Sequence, residues 1–390
     1  MNALVGHARP VDRRVRLALD PWLVGAASAL LLLGLVMVTS ASVSLPAYEA
    51  TPFYFLERQL LFALIGAGIA AVTMRIPTHV WERLGFPLLV LGMLLLLLVL
   101  VPGLGASVNG SRRWLRIGPL NFQASEAARV CLLFYLCGYM VRREEEVRGT
   151  VLGFLKPLAV LGVAALLLLV EPDFGSGVVL LATGIGVLFL GGVRLRHFLA
   201  LCGGLAIALA LIAMSSAYRI RRLTTFLDPW ADPYNSGFQL TQSLIAIGRG
   251  EWLGVGLGAS VQKLFYLPEA HTDFVFAVLA EELGFVGIAL VVALVLVIAF
   301  RTLRIARLAA GAGLRFQSYL AAAFALWLGL QAFINMGVNM GLLPTKGLTL
   351  PLLSYGRSSL LVTLGWLGVV LRVHHEVLHA RHVSTRATPT

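Results

Sequence analysis

Apolar runs recur along the whole chain, at roughly 21–42, 58–75, 84–102, 122–141, 157–171, 175–192, 197–217, 273–300, 317–341 and 358–373. A run of about 20 apolar residues is long enough to cross a bilayer as a helix. Inside lipid a segment must satisfy its own backbone N–H and C=O groups, which leaves helices or closed barrels. The expected fold is therefore an all-α polytopic membrane protein of about ten transmembrane helices, residues 21–373. A short tail, 1–20, precedes it, and another, 374–390, follows. Composition agrees: 13% of residues are charged and 58% hydrophobic, whereas soluble domains carry about 25% charged residues.

The net charge of +12 does not point to nucleic acid, because no basic domain with interleaved aromatics is present. The cations instead recur in short segments between the runs. Arg75 and Arg83 form one group, and Arg142, Arg143, Arg148 and Lys156 another. Arg194 and Arg196, then Arg301, Arg304, Arg307 and Arg315, and finally Arg372, Arg381 and Arg386 complete the set. Positive segments stay in the cytosol, so both termini are expected there. The basic start (Arg9, Arg13, Arg14, Arg16) resembles a signal peptide. The length of the first run and the many that follow favour an uncleaved first span. Cys131, Cys137 and Cys202 sit inside apolar runs without ligand or disulfide spacing and are expected to pack.

The longest break in the apolar pattern is 218–272, expected as a long outer loop between spans seven and eight. It opens with Arg219, Arg221 and Arg222 and ends with Glu269, His271 and Asp273, where the next run begins. An ionisable group at a bundle mouth is expensive and is a functional candidate. The outer segments also break the charge rule. They carry Arg112, Arg113 and Arg116, then Arg249 and Lys263, then Lys346 and Arg357. Such cations suit an anionic, phosphate-like ligand, although each could separately anchor to lipid phosphates.

Three further segments stand out. In 103–126, Trp114, Leu115 and Ile117 alternate with Arg113 and Arg116, which suggests a segment lying in the membrane interface. At its end Glu126 and Arg129, spaced i, i+3, form either a structural ion pair or part of a site. Asp173, in E-P-D-F-G-S, either caps a helix or joins the site. Residues 341–359, dense in Pro and Gly and carrying Lys346, Ser354, Tyr355 and Ser358, are expected as a re-entrant outer loop between spans nine and ten, forming a wall of the site. Two other patterns mislead. G-V-G-L-G at 254–258 follows no strand, and H-E-x-x-H at 375–379 lies in a short tail with no domain to shape a metal cleft.

The segments NGSRRWLRIGPLNFQASE, FLKP, EPDFGSGVVL, YLPEAHTDFVFAVLAEELGFVG and GLLPTKGLTLPLLSYGRSS, with the ten-run pattern, resemble the SEDS family (RodA/FtsW/SpoVE) of polytopic cell-wall glycosyltransferases. They cover nearly the whole chain, and LPTKGLTLP is the form of the division branch. Ala124, Arg129 and Arg357 stand where the family usually has Pro, Lys and Gly; the last puts a bulky cation in the re-entrant loop.

The resemblance implies polymerisation of lipid II into glycan strands on the outer face of the bacterial cytoplasmic membrane, at the division septum. It also implies a divalent cation (Mg or Mn), with ligands unassigned. The implied partners are a class B penicillin-binding transpeptidase of FtsI type and division membrane proteins of FtsQ, FtsL and FtsB type. The family's catalytic carboxylate falls on Asp273. On this reading Arg219, Arg222, Lys263, Glu269, His271, Lys346 and Ser358 contact substrate, and Arg113, Trp114, Glu126, Arg129 and Asp173 support the site. Making a β bond from an α-linked pyrophosphate takes one inversion and one general base. A free Asp, with a pKa of about 3.9, is a weak base that burial would improve. A lipid II flippase is the alternative from another class, and a non-catalytic division scaffold is a third. A flippase needs charged groups through the midplane, whereas here they gather at one mouth; a scaffold leaves Asp273 and the outer cations without a role.

Overall fold

The structure is a computed structural model that describes residues 18–44, 50–108, 111–117, 120–193, 195–214, 226–235, 237–264, 266–344 and 347–386. Its helices are α1 (Pro21–Ser42), α2 (Tyr54–Arg75), α3 (Thr78–Arg83), α4 (Gly85–Leu100), α5 (Ala124–Arg142), α6 (Glu144–Gly149) and α7 (Val151–Val170). They continue with α8 (Phe174–Leu190), α9 (Leu195–Met214), α10 (Phe238–Gly250), α11 (Val275–Gly311), α12 (Arg315–Asn339) and α13 (Arg357–Arg386). Each of the ten apolar runs falls on one of them. Among the described residues seven helices are long and apolar enough to cross a membrane, and α4 and α8 are shorter apolar helices. The chain is a helical multi-pass membrane protein.

The segment expected in the interface forms a small antiparallel sheet, β1 (Gly105–Val108), β2 (Ser111–Ile117) and β3 (Leu120–Gln123), in the order β1-β2-β3. Its register sets Trp114 opposite Gln123 and Leu115 opposite Phe122. On β2 Arg113 and Leu115 share one face, and Trp114 and Arg116 the other. Leu115 is buried with Val99 of α4 and Ala124 of α5, so the sheet is tied to the bundle.

α12 is the central helix, packed on α5, α8, α11 and α13. Its Trp327 stacks on Trp366 of α13 with ring centroids 5.2 Å apart, and Phe324 and Phe134 extend the aromatic core. Between α12 and α13 the chain runs without helix through 347–356, yet Leu348, Leu350, Leu352, Leu353 and Ser354 are buried. The segment lies so close to α1 that a Cβ on Gly34 would stand 2.6 Å from the Leu352 carbonyl oxygen. Irregular backbone at such depth is tolerated when protein surrounds it.

α11 is broken at Gly284, whose φ of 63° and ψ of −159° no side chain adopts without strain. The break frees two carbonyls and two N–H groups, and the polar loop takes all four. Val255 and Gly256 N–H donate to the Glu281 and Glu282 carbonyls at 2.9 and 3.1 Å. Phe285 and Val286 N–H donate to the Glu251 and Trp252 carbonyls at 2.9 and 3.2 Å. The loop between α10 and α11 is docked onto its own helix in this way.

Candidate active site

Asp273 lies two residues before α11, and its backbone is clamped from α12. Asn335 and Asn339, one turn apart, both donate their side-chain N–H₂ to the Asp273 carbonyl, at 2.9 and 3.0 Å. Asn335 also donates to the Leu348 carbonyl at 2.6 Å. One helix face therefore sets both the Asp273 backbone and the buried segment beside it. The Asp273 carboxylate faces that segment: a Cβ on Gly347 would stand 3.1 Å from Asp273 Oδ2 and 3.9 Å from Arg113 Nη1. Gly347 thus marks where the carboxylate and the guanidinium approach each other.

The carboxylate is half-buried and accepts no hydrogen bond among the described residues. Burial, with smaller contributions from the charges of Glu269 and Asp173, pushes its pKa up to about 7, against the pull of Arg113. A carboxyl poised there is a competent base at neutral pH.

Arg113 reaches the site from β2 and donates through Nη2 to the Pro172 carbonyl. That contact fixes the turn Glu171–Pro172–Asp173 between α7 and α8. Asp173 caps α8 by accepting from Ser176 N–H at 3.3 Å, and it accepts the Ser125 hydroxyl at 3.0 Å. It caps and also acts electrostatically on Asp273. Glu171, which sequence reasoning passed over, is 0% exposed, with no partner for either carboxylate oxygen among the described residues. Burial and the neighbouring Asp173 raise its pKa to about 8, with Arg113 opposing. Its signal was visible in the E-P-D-F-G-S turn, where only the second acid drew notice.

The other expected residues fall in different places. His271 packs its ring on Phe55 at 4.4 Å, and its carbonyl accepts Tyr355 N–H at 3.0 Å. Burial lowers its pKa, against Glu269, so the ring is neutral at pH 7. Glu269 is exposed and accepts the Thr272 hydroxyl at 2.8 Å. The Ser358 hydroxyl accepts Gln123 N–H at 2.9 Å, tying α13 to β3. Trp114 sits in β2 beside Arg113. Glu126 and Arg129 form a buried ion pair at 2.5 Å. Arg129 donates onward to Gln331 at 3.0 Å, and Gln331 donates to the Thr349 carbonyl at 3.1 Å. The pair thereby supports the buried segment from behind.

Lys263 is occupied elsewhere. It is buried, and its ammonium donates to Glu282 at 2.7 Å, Ser40 at 2.9 Å and the Gly258 carbonyl at 2.7 Å. The structure does not bring it to Asp273 as a free cation. Arg219, Arg222 and Lys346 lie outside the described residues. Asn335, Asn339 and Gln331 were also passed over, though polar residues one turn apart in an apolar helix were there to be read.

Among the described residues no three His, Cys, Asp or Glu side chains are arranged to hold a metal ion. A divalent cation held by one or two carboxylates together with substrate phosphates would not need such a cluster. In the H-E-x-x-H stretch Glu376 is engaged by Thr78, by Arg372 at 2.8 Å and by Gln317 at 3.2 Å.

Known proteins resemble this chain over most of its length. A protein of Nitrosococcus halophilus named "Probable peptidoglycan glycosyltransferase FtsW" is 58% identical over 358 residues, covering 92% of each chain. The protein of the same name from Legionella pneumophila is 52% identical over 95% of this chain and 94% of its own. Among solved structures, a chain of a peptidoglycan synthase complex that coordinates polymerization and crosslinking superposes with a TM-score of 0.76. It is 34% identical, covering 93% of this chain and 99% of that one. Rod shape determining protein RodA of Thermus thermophilus gives a TM-score of 0.67 at 32% identity, covering 92% and 98%. Residues 21–379 match the family model described as "Cell cycle protein", and on that match and these relatives the chain belongs to the FtsW/RodA/SpoVE family.

Proposed function

We propose that this chain is the peptidoglycan glycosyltransferase of cell division, polymerising lipid II into glycan strands by an inverting transfer with Asp273 as general base. The observation that carries the reading is the state of Asp273. Its backbone is clamped by Asn335 and Asn339, while its carboxylate is left without a donor among the described residues and is pushed to about 7. A structural carboxylate is normally satisfied by donors; one held in place and left unsatisfied is available to a substrate.

In the reaction Asp273 takes the proton of the acceptor hydroxyl as its oxygen attacks the anomeric carbon of the donor. The new C–O bond forms on the β face while the α bond to the pyrophosphate breaks. Arg113 Nη1, beside Gly347, is placed to meet the departing negative charge. The natural seat of the reacting groups lies beside Asp273, among β2, the Glu171–Asp173 turn and residues 347–356. By the positive-inside argument it opens on the outer face of the membrane. The relative in a peptidoglycan synthase complex supports work beside a crosslinking transpeptidase, and lipid II is the substrate class that fits both.

The test is lipid II polymerisation by the purified full chain, alone and with its transpeptidase. Glycan strands that need Asp273 are expected. Well-folded protein that makes no glycan under either condition would overturn the proposal.

A further inference from the structure

We propose that Glu171 is a positioning residue for the transfer: a neutral acid set behind Arg113, which leaves the guanidinium charge for Asp273 and the departing pyrophosphate. The inference rests on the glycosyltransferase reading above and adds a residue to it. Its basis is geometric. The Glu171 carboxyl is fully buried, and both oxygens lack a partner among the described residues. It sits in the turn whose next carbonyl, that of Pro172, holds Arg113 Nη2. The opposite edge of the same guanidinium, Nη1, meets the Asp273 side of Gly347. Arg113, held in the turn next to Glu171 and reaching the Gly347 side of Asp273, therefore acts electrostatically on both acids.

A carboxylate buried without donors keeps its proton instead of bearing the cost of an isolated charge. The groups facing Glu171 are Asp173 from its own turn and Arg113 from β2, and they act in opposite senses. The groups facing Asp273 are Glu269, Arg113 and Asp173. While Glu171 is neutral, the charge of Arg113 is undivided. Once it ionises, the guanidinium is shared with a second carboxylate. The reacting pyrophosphate then loses electrostatic stabilisation, and Asp273 gains a further negative neighbour. The arrangement sets an alkaline limit on the reaction that is separate from the acid limit set by Asp273. Every proton in this scheme is exchanged with water; none is transferred between the two acids.

Two measurements test it. The first is the pH profile of kcat/KM for lipid II polymerisation by the full chain. Wild type is expected to fall to a lower plateau as pH rises through about 8, where Glu171 ionises. In Glu171→Gln, which fixes the neutral form, that alkaline limb should move up or vanish while the acid limb stays. An unchanged alkaline limb, or a folded Gln variant inactive at every pH, overturns the proposal. The second needs no substrate. In an Asp273→Asn background, infrared difference spectra on raising pH through about 8 should show a protonated carboxyl band disappearing. The band should be missing from the doubly substituted Glu171→Gln chain. Absence of any such Glu171-dependent band overturns the proposal, whatever the polymerisation assay returns. A band present in a chain that makes no glycan would instead locate the fault in the glycosyltransferase reading.

Discussion

Two pairs of acids lie at the same end of this bundle, and they are treated in opposite ways. Glu281 and Glu282, adjacent in α11, are both 0% exposed and both saturated. Glu281 accepts from Arg249 at 3.0 Å, Ser260 at 2.5 Å, Val261 N–H at 3.1 Å and Gln262 N–H at 3.3 Å. Glu282 accepts from Lys263 at 2.7 Å and from Ser40 at 2.7 Å. Glu171 and Asp273 receive no donor among the described residues, and each has its pKa raised by burial. Paired, hydrogen-bonded acids hold the loop to the helix. Unpaired acids are costly to keep, and a costly group near a groove is where chemistry is to be sought. Satisfaction by donors, more than burial or charge, separates the two roles.

Asp273 is the position where the two kinds of acid differ most in expected effect. Asp273→Asn keeps the shape and removes the base, so glycan polymerisation should drop by about 10²–10⁴-fold, with lipid II binding retained. Polymerisation at the wild-type rate by a well-inserted Asn chain would put Asp273 among the structural acids.

At the saturated pair the effect should appear in stability. Lys263→Met leaves Glu282 charged, buried and short of its partner, which costs about 3–5 kcal/mol. The loss should be read as a lower thermal midpoint in detergent. Adding Glu282→Leu should recover most of it, because a buried pair replaced by apolar groups is often neutral. A stable Lys263→Met chain defective only in lipid II affinity would restore Lys263 to the substrate-binding set.

The two limits on pH come next. Asp273 must be ionised to act, so activity should fade as pH falls below about 7. The stability linkage has the opposite sense. With its pKa raised in the folded chain from 3.8 to about 7, Asp273 contributes stability that is fully present below 3.8 and is lost progressively until pH reaches about 7. Asp273→Asn should therefore leave the thermal midpoint nearly unchanged below 3.8 and raise it increasingly up to about 7, with the full gain above neutrality. A midpoint gain confined to low pH would contradict the assigned direction.

The smallest expected effect is in the tail. Replacing His375 and His379 together by Ala should shift stability by within about 0.5 kcal/mol and leave polymerisation near the wild-type rate. Abolished glycan synthesis in that double variant, with folding intact, would show that the tail has a role the bundle does not reveal.

Much of the fold was legible because lipid imposes one rule on every span. The ten apolar runs fall on ten helices, with ends displaced by a few residues in most cases and by more in α11 and α13. The sheet at 105–123 was hidden because its cations, at 112, 113 and 116, do not follow the two-residue period that marks a strand, and the pairing partners become visible only in the folded chain. At the site, Asp273 and Asp173 could be picked out from their positions at run boundaries. Lys263 was assigned to an anionic ligand because its side-chain partners, Glu282 and Ser40, lie 19 and 223 residues away. Glu281 and Glu282 could not be told from candidate site acids for the same reason. Whether a charged group is satisfied is a property of the assembled bundle and not of its neighbours in sequence.

The break in α11 makes the helix and the loop depend on each other. The four backbone bonds that the loop makes to residues 281–286 replace only two that an unbroken helix would make there. Without the loop, the broken form would leave backbone groups unpaired, at about 1–3 kcal/mol for each buried one. The break at Gly284 and the docked loop are therefore coupled: losing the loop's contacts favours the continuous helix, and a change on either side of that coupling is felt by the other.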